Sequence, residues 1–134
     1  MIIIKENKKV INMYANFGEM ISKKRTEKKI TLRKLAELLN VSPAFLSDVE
    51  RGRRNPFDDR AKLDQLSELF NLSQEEYHDM LDLVGDGREE VAPDLPEYIN
   101  GHDYVRVALR TARDLDAGEE EWLQFVEELK NRKG

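Results

Sequence analysis

Hydrophobic residues recur with helical spacing along most of the chain. Apolar positions follow one another at intervals of three and four residues, and no segment alternates between apolar and polar as a half-buried strand does. Residues that cap helix starts precede these stripes at Thr31, at Ser42 and at Ser73, where Glu76 completes a capping box. The pattern predicts five helices in the front part of the chain, at about 16–28, 31–39, 43–51, 58–70 and 73–84.

The chain after residue 84 has a different pattern. Glycine and proline concentrate between Gly85 and Pro96, which predicts a linker. Two further amphipathic stripes follow and predict two short helices, the first capped by Asp103 and the second by a capping box of Asp116 and Glu119. Two such helices cannot bury both apolar faces against each other, so we expect this hairpin to pack on a second copy of the chain or, alternatively, on the front domain. The predicted dimerisation residues are Tyr104, Val105, Leu109, Trp122, Phe125 and Leu129.

Length and composition exclude several classes of protein. A chain of 134 residues has room for one compact domain and an appendage. No apolar run reaches the roughly 18 residues of a membrane helix, and cysteine is absent, which excludes disulfides and thiolate metal sites. The two histidines have no metal-ligand or nucleophile spacing around them, and there is no glycine-rich phosphate loop. We therefore expect a cytoplasmic protein that is not an enzyme, with no cofactor and no small-molecule substrate.

Charge is unevenly distributed along the chain. Residues 1–57 hold 13 Lys and Arg against 6 Asp and Glu, whereas residues 58–134 hold 9 against 21. A basic front can bind phosphates while the acidic remainder keeps the protein soluble. This distribution favours a nucleic-acid partner despite the net charge of -5, although solvated helix faces would explain it too.

The most informative segment is 31–52, TLRKLAELLNVSPAFLSDVERG. Its first helix ends near Asn40, a residue type that tolerates the left-handed conformation of a tight turn. Val41 is placed to fill the angle between two helices, and Ser42 is placed to cap the second. The two helices are therefore expected to cross steeply.

This segment resembles the helix-turn-helix of the Cro/CI-like (XRE) family of regulators. The residues that match the family pattern are Thr31, Leu35, Ala36, Val41, Ser42, Ser47, Glu50 and Gly52. The resemblance extends over about 16–84 and implies an all-α, five-helix, lambda-repressor-like DNA-binding domain. Asn40 stands where the family usually has glycine, and Leu32 where many members carry a glutamine that touches a phosphate or supports the base-reading side chains.

The resemblance also implies how each residue would meet double-stranded DNA. Helix 43–51 would enter the major groove, with Pro43, Ala44, Ser47 and Asp48 as candidates for reading base edges. Phe45 is interpreted as an exposed ring that meets thymine methyl groups, and Asp48 either accepts from a cytosine amino group or, the favoured option, orients Arg51. The candidate DNA-binding residues are Thr31, Arg33, Ser42, Pro43, Ala44, Phe45, Ser47, Asp48, Arg51, Arg53 and Arg54.

Charged residues outside the helix-turn-helix loop are predicted either to contact phosphates or to stabilise the fold. Lys23, Lys24, Lys28 and Lys29 are additional candidates for phosphate contact. The resemblance places Arg25 and Glu50 in a buried ion pair that joins the first helix to the end of the third. These two residues are therefore expected to be structural.

The predicted organisation is an N-terminal extension at 1–14, a helix-turn-helix domain at 15–84, a linker at 85–97 and a helical dimerisation segment at 98–134. The leading hypothesis is a sequence-specific transcriptional regulator, a repressor, that acts as a homodimer on a palindromic operator. The alternative is an antitoxin-like or accessory module whose acidic C-terminal half binds a regulatory protein partner.

Overall fold

The computed structural model describes residues 12–133, and in this part of the chain all regular structure is α-helical. This confirms the predicted all-α class. The eight helices of the described residues are α1 (Phe17–Glu27), α2 (Leu32–Leu39), α3 (Pro43–Glu50), α4 (Arg60–Phe70), α5 (Gln74–Arg88), α6 (Leu95–Asn100), α7 (Asp103–Asp114) and α8 (Glu119–Lys133).

The first five helices begin where side chains can cap them. Asn16, Thr31, Ser42 and Asp59 each accept a hydrogen bond from a backbone amide in the first turn of α1 to α4. Ser73 and Glu76 form the predicted capping box at the start of α5. These caps satisfy amides that have no partner inside a helix, so the predicted starts are confirmed.

Helix α5 runs through the glycines that were predicted to begin a linker. Gly85 is buried, and a Cβ there would lie 2.8 Å from the backbone nitrogen of Ala92. A Cβ on Gly87 would lie 2.7 Å from Pro56 Cγ. The helix continues to Arg88, whose Nη1 donates to the carbonyl of Pro56 over 3.0 Å. The predicted end at residue 84 is wrong because these glycines allow close packing of a helix instead of interrupting it.

The core of the molecule lies among α1 to α5. Its fully buried side chains include Leu35, Ala36 and Leu39 of α2 and Leu46 and Val49 of α3. No residue of α6 to α8 belongs to the buried core of the described part of the chain. The hydrophobic stripes of the helix-turn-helix pair thus face inward, as their spacing predicts.

The predicted N-terminal extension falls partly outside the described residues, which begin at Asn12. Its last positions belong to the domain. Asn12 Nδ2 donates to the carbonyl of Asp79 over 3.2 Å, and Tyr14 packs against the core. The predicted boundary at residue 14 therefore falls inside the folded domain, because Asn12 and Tyr14 already contact it.

The chain after α5 is more helical than predicted. Helix α6 occupies part of the predicted linker. His102, and not Asp103, is the cap position of α7, and Asp103 lies inside the helix. Asp116 has φ of 58° and follows the end of α7, whereas the backbone amide of Gly118 donates to Glu121 Oε1 at the start of α8. The predicted capping box of Asp116 and Glu119 is wrong, since Asp116 makes the left-handed turn that ends the preceding helix.

Helices α7 and α8 leave large apolar side chains in solvent. Tyr104, Leu109, Trp122, Phe125 and Leu129 are all exposed, with between 38% and 70% of each residue accessible, and Val105 is half-buried. Packing of this face on the front domain is therefore not observed for the described residues. Within 12–133, none of the helices combines the length and apolar content that crossing a bilayer requires.

Candidate nucleic-acid interface

The turn between α2 and α3 has the geometry that the sequence predicts. Asn40 adopts the left-handed conformation, with φ of 59° and ψ of 45°. The amide of Val41 donates to the carbonyl of Ala36 over 3.0 Å, which closes the end of α2. Asparagine thus replaces glycine here without losing the turn.

The start of α3 is presented to solvent. Pro43 occupies the first turn, and Pro43 and Ala44 are exposed. Ser42 is exposed as well, and its Oγ accepts from the amide of Phe45 over 3.0 Å. A hydroxyl that accepts one hydrogen bond keeps its own proton as a donor, so Ser42 can cap α3 and still donate to a phosphate oxygen.

The start of α2 is arranged in the same way. Thr31 Oγ1 accepts from the amide of Lys34 over 3.0 Å, and both Thr31 and Arg33 are exposed. Leu32, which stands where many family members have glutamine, is half-buried against the core. Thr31 and Arg33 are therefore the polar groups available at this helix end.

Phe45 is not the exposed ring that the sequence interpretation assumed. It is half-buried and packs against the core, with its ring centroid 6.3 Å from that of Phe57. The guanidinium carbon of Arg54 lies 5.0 Å from the Phe45 ring centroid. The premise that the core offers this ring no partner is wrong, because Phe57 comes from the irregular loop after α3, which the helical pattern did not place.

Asp48 does not pair with Arg51 among the described residues. No hydrogen bond or ion pair joins the two side chains within 12–133, although Asp48 is half-buried on α3. Its backbone carbonyl accepts from the amide of Arg53 over 2.9 Å. The orienting role favoured from the sequence is therefore not observed, and Ser47, also half-buried, is its neighbour on α3.

Three arginines follow α3 in exposed positions. Arg51 caps the helix end, and Arg53 and Arg54 continue into the loop before α4. Gly52 between them has φ of 77°, a conformation that favours glycine. The turn at Gly52 brings the loop back toward the start of α3, where Arg54 meets Phe45.

The four lysine candidates differ in their surroundings. Lys24 Nζ donates to Glu76 Oε2 over 2.9 Å, and this hydrogen bond raises the pKa of Lys24. Lys23 lies 3.6 Å from Glu19 on the surface, while Lys28 and Lys29 are exposed. Lys24 is thus engaged in joining α1 to α5.

Arg25 and Glu50 form the predicted ion pair. Arg25 Nε and Nη2 donate to the two carboxylate oxygens of Glu50 over 2.8 and 3.1 Å, and Nη1 donates to the carbonyl of Ile30 over 3.0 Å. Hydrogen bonding to Glu50 raises the pKa of Arg25. The pair joins the end of α3 to α1, as expected, but both residues are partly buried and not fully buried as predicted.

Gly18 is a structural residue that the sequence analysis missed. A Cβ at this position would lie 2.4 Å from the carbonyl oxygen of Val49 and 2.6 Å from that of Glu50. Helix α1 therefore approaches the end of α3 more closely than any side chain permits. A glycine inside a capped, amphipathic helix was the available sign of this contact.

Comparison with known families decides the identity of this region. Residues 21–76 match the family described as Helix-turn-helix. Residues 21–76 therefore form a helix-turn-helix domain of the XRE, or Cro/CI-like, type. Domains of this family have a lambda-repressor-like helical fold and are DNA-binding domains of transcriptional regulators, which agrees with the helical structure of this region. The search of curated proteins found no match, and neither did the search of solved structures.

Proposed function

We propose that the protein is a repressor that acts as a homodimer on a palindromic operator. The observation that carries this proposal is the exposed start of α3, a helix whose end is joined to α1 by the ion pair of Arg25 with Glu50. Three exposed arginines follow that end. A helix-turn-helix domain places this helix end against base edges in the major groove. Among residues 12–133, the exposed start of α3 and the arginines of the following loop support a role for this surface in reading DNA.

The DNA contacts divide into base-reading and phosphate-binding residues. Pro43, Ala44, Ser47 and Asp48 are proposed to face bases, because they lie along the α3 helix that enters the groove. The proposed phosphate ligands are Thr31, Arg33, Ser42, Arg51, Arg53 and Arg54.

A dimer is proposed because one domain of this size reads only a few base pairs. Two half-sites separated by about 34 Å, or one turn of DNA, would supply the specificity that a genome demands. The exposed apolar face of α7 and α8 is proposed to join the two copies. Its members are Tyr104, Val105, Leu109, Trp122, Phe125 and Leu129.

The proposal is tested by selecting sequences from a randomised pool of duplex DNA with the full chain. We expect a palindrome to be enriched, and its affinity to fall as salt rises because phosphate binding releases counterions. Arg51→Ala should weaken binding, whereas Arg110→Ala, which removes an equal charge from the exposed surface of α7, should not. Failure of the folded protein to enrich any sequence would overturn sequence-specific regulation.

A second candidate function is supported by the same C-terminal surface. The exposed apolar face lies in the acidic half of the chain, and Glu119, Glu120 and Glu121 open α8. A regulatory protein with a basic, apolar surface would fit it, as in an antitoxin-like module. A chain that stays monomeric in light scattering and in which α7 and α8 are rapidly cleaved by protease would favour this candidate over the dimer.

A further inference from the structure

Four side chains form a line of ring contacts from the core to the surface. The ring of Phe17, which is fully buried in α1, meets the ring of Phe57 edge to face with centroids 5.3 Å apart. The Phe57 ring centroid in turn lies 6.3 Å from that of Phe45, and the guanidinium carbon of Arg54 lies over the Phe45 ring, 5.0 Å from its centroid. This aromatic line ends in a cation at the DNA-binding surface.

The ring of Phe45 is the partner that the structure shows for the Arg54 guanidinium among residues 12–133. No acidic group in residues 12–133 forms an ion pair with Arg54, and no hydrogen bond from its guanidinium is observed there. A guanidinium over an aromatic ring is attracted by the partial negative charge of the ring face. The N–H groups at its edge stay available to donate hydrogen bonds. Arg54 is thus held in place without losing its donors.

The position of Phe45 determines where Arg54 is held. Phe45 lies in the first turn of α3, where its amide donates to Ser42 Oγ. Arg54 follows the C-terminal end of α3 in sequence, yet its guanidinium carbon lies 5.0 Å from the ring centroid of a residue in the first turn. Arg53, on the same loop, has no such ring contact among the described residues.

We propose that Phe45 is a positioning residue that holds Arg54 ready to bind a DNA phosphate at the reading end of α3. This inference rests on the proposed DNA-binding function and changes the role of Phe45 from a direct base contact to an indirect one. Since the ring itself is anchored by Phe57, Arg54 is ordered before DNA arrives. Less side-chain freedom is then lost on binding.

The test is a double-mutant cycle on the full chain, with a duplex of random sequence as the probe at low salt. Arg54→Gln should weaken binding about tenfold, as expected for loss of a charged hydrogen bond to phosphate. It should also make the plot of log affinity against log salt less steep, with a slope less negative by about 0.9. Phe45→Leu, which keeps an apolar side chain but removes the ring, should weaken binding about three- to fivefold.

The coupling between the two changes separates positioning from packing. In the Arg54→Gln background, Phe45→Leu should have no further effect on affinity, whereas in the Arg53→Gln background its effect should be undiminished. Phe45→Tyr, which keeps the ring face, should restore wild-type binding. As a control, thermal unfolding of each variant should give a cooperative transition, which would show that the chain remains folded.

Two results would overturn the inference while leaving DNA binding intact. The first is an equal loss from Phe45→Leu whether or not Arg54 is present, which would indicate a general packing role. The second is a loss from Arg54→Gln that appears with one operator sequence and not with random duplex, which would indicate base reading. Absence of any binding by the wild-type chain would instead contradict the proposed function itself.

Discussion

The guanidinium of Arg25 binds both carboxylate oxygens of Glu50, the last residue of α3, and at the same time donates to the carbonyl of Ile30 just before α2. One side chain of α1 therefore fixes both ends of the helix-turn-helix. The side chains are shielded from water, with accessible fractions of 17% for Arg25 and 9% for Glu50. The pair thus joins α3 to α1 and to the residue before α2.

Breaking this pair should destabilise the domain strongly. Arg25→Ala leaves a shielded carboxylate without a partner, and we expect it to lower the free energy of unfolding by about 3 kcal/mol. Urea unfolding measures the loss. Glu19→Ala, which removes a partner of the exposed Lys23, should change stability by less than about 1 kcal/mol. A similar small loss for Arg25→Ala would show that the pair is not structural.

The close approach of α1 to α3 should make Gly18 intolerant of any side chain. A Cβ in Gly18→Ala would meet two backbone carbonyl oxygens, neither of which can rotate away, so α1 or α3 must shift. We expect Gly18→Ala to lower the free energy of unfolding, measured in urea, by about 1 to 3 kcal/mol despite the better helix propensity of alanine.

Gly101→Ala is the matched control for this prediction. The nearest atom to a Cβ there is the carbonyl oxygen of Glu97 at 3.5 Å, and φ is negative. Gly101→Ala should leave the unfolding midpoint unchanged or raised. If Gly18→Ala behaves in the same way, the contact between α1 and α3 is looser than the structure shows.

The residues that the sequence predicts well are those governed by local contacts. Thr31, Asn40 and Ser42 act within a few residues of their own positions, so spacing alone identifies their roles. The packing of Phe45 could not be predicted, because it depends on Phe57 and Arg54, which return to α3 through an irregular loop. The same reason explains the error at Gly85 and Gly87.

Those two glycines show how one residue type supports opposite interpretations. Taken alone, Gly85 and Gly87 disfavour a helix, and a linker is the natural prediction. Pro56 and Ala92 pack so closely on this turn of α5 that only glycine fits. Tertiary contact thus overrides local propensity, and the pattern along the chain contains no sign of those partners.

The charge of Glu76 should make stability depend on pH in the acid range. Its pKa is lowered below 4.5, first by the backbone hydrogen bond from Ser73 and then by Lys24. A carboxyl group with a lowered pKa stabilises the fold above the pKa of the unfolded chain, and this contribution is lost as pH falls through the folded value.

Glu76→Gln isolates this contribution, because glutamine can still accept the backbone hydrogen bond of the capping box. The variant should be less stable than the wild type at pH 7, and the difference should disappear as the pH falls below 4.5. Urea midpoints measured from neutral to acid pH test this, with Glu68→Gln, an exposed position on α4, as the charge control. A difference that persists unchanged in acid would show that the charge contributes nothing.

The last prediction concerns the apolar face of α8. Trp122 and Phe125 lie edge to face with ring centroids 6.3 Å apart, and both remain exposed in the single chain. Large aromatic side chains at the centre of an interface carry much of its binding energy, about 2 kcal/mol or more each. Light scattering should therefore give the mass of two chains for the wild type, and Trp122→Ala should weaken the dimer at least about 30-fold.

Leu115→Ala is the control for this prediction, because Leu115 is equally apolar and more exposed but lies in the turn between α7 and α8, outside the proposed surface. It should leave the mass unchanged. A monomeric Trp122→Ala chain with an intact helix-turn-helix domain should bind a palindromic duplex no better than a single half-site, since each domain then binds independently. If the mass of Trp122→Ala equals that of the wild type, this face does not form the dimer, and its exposed aromatic residues are left for a different protein partner.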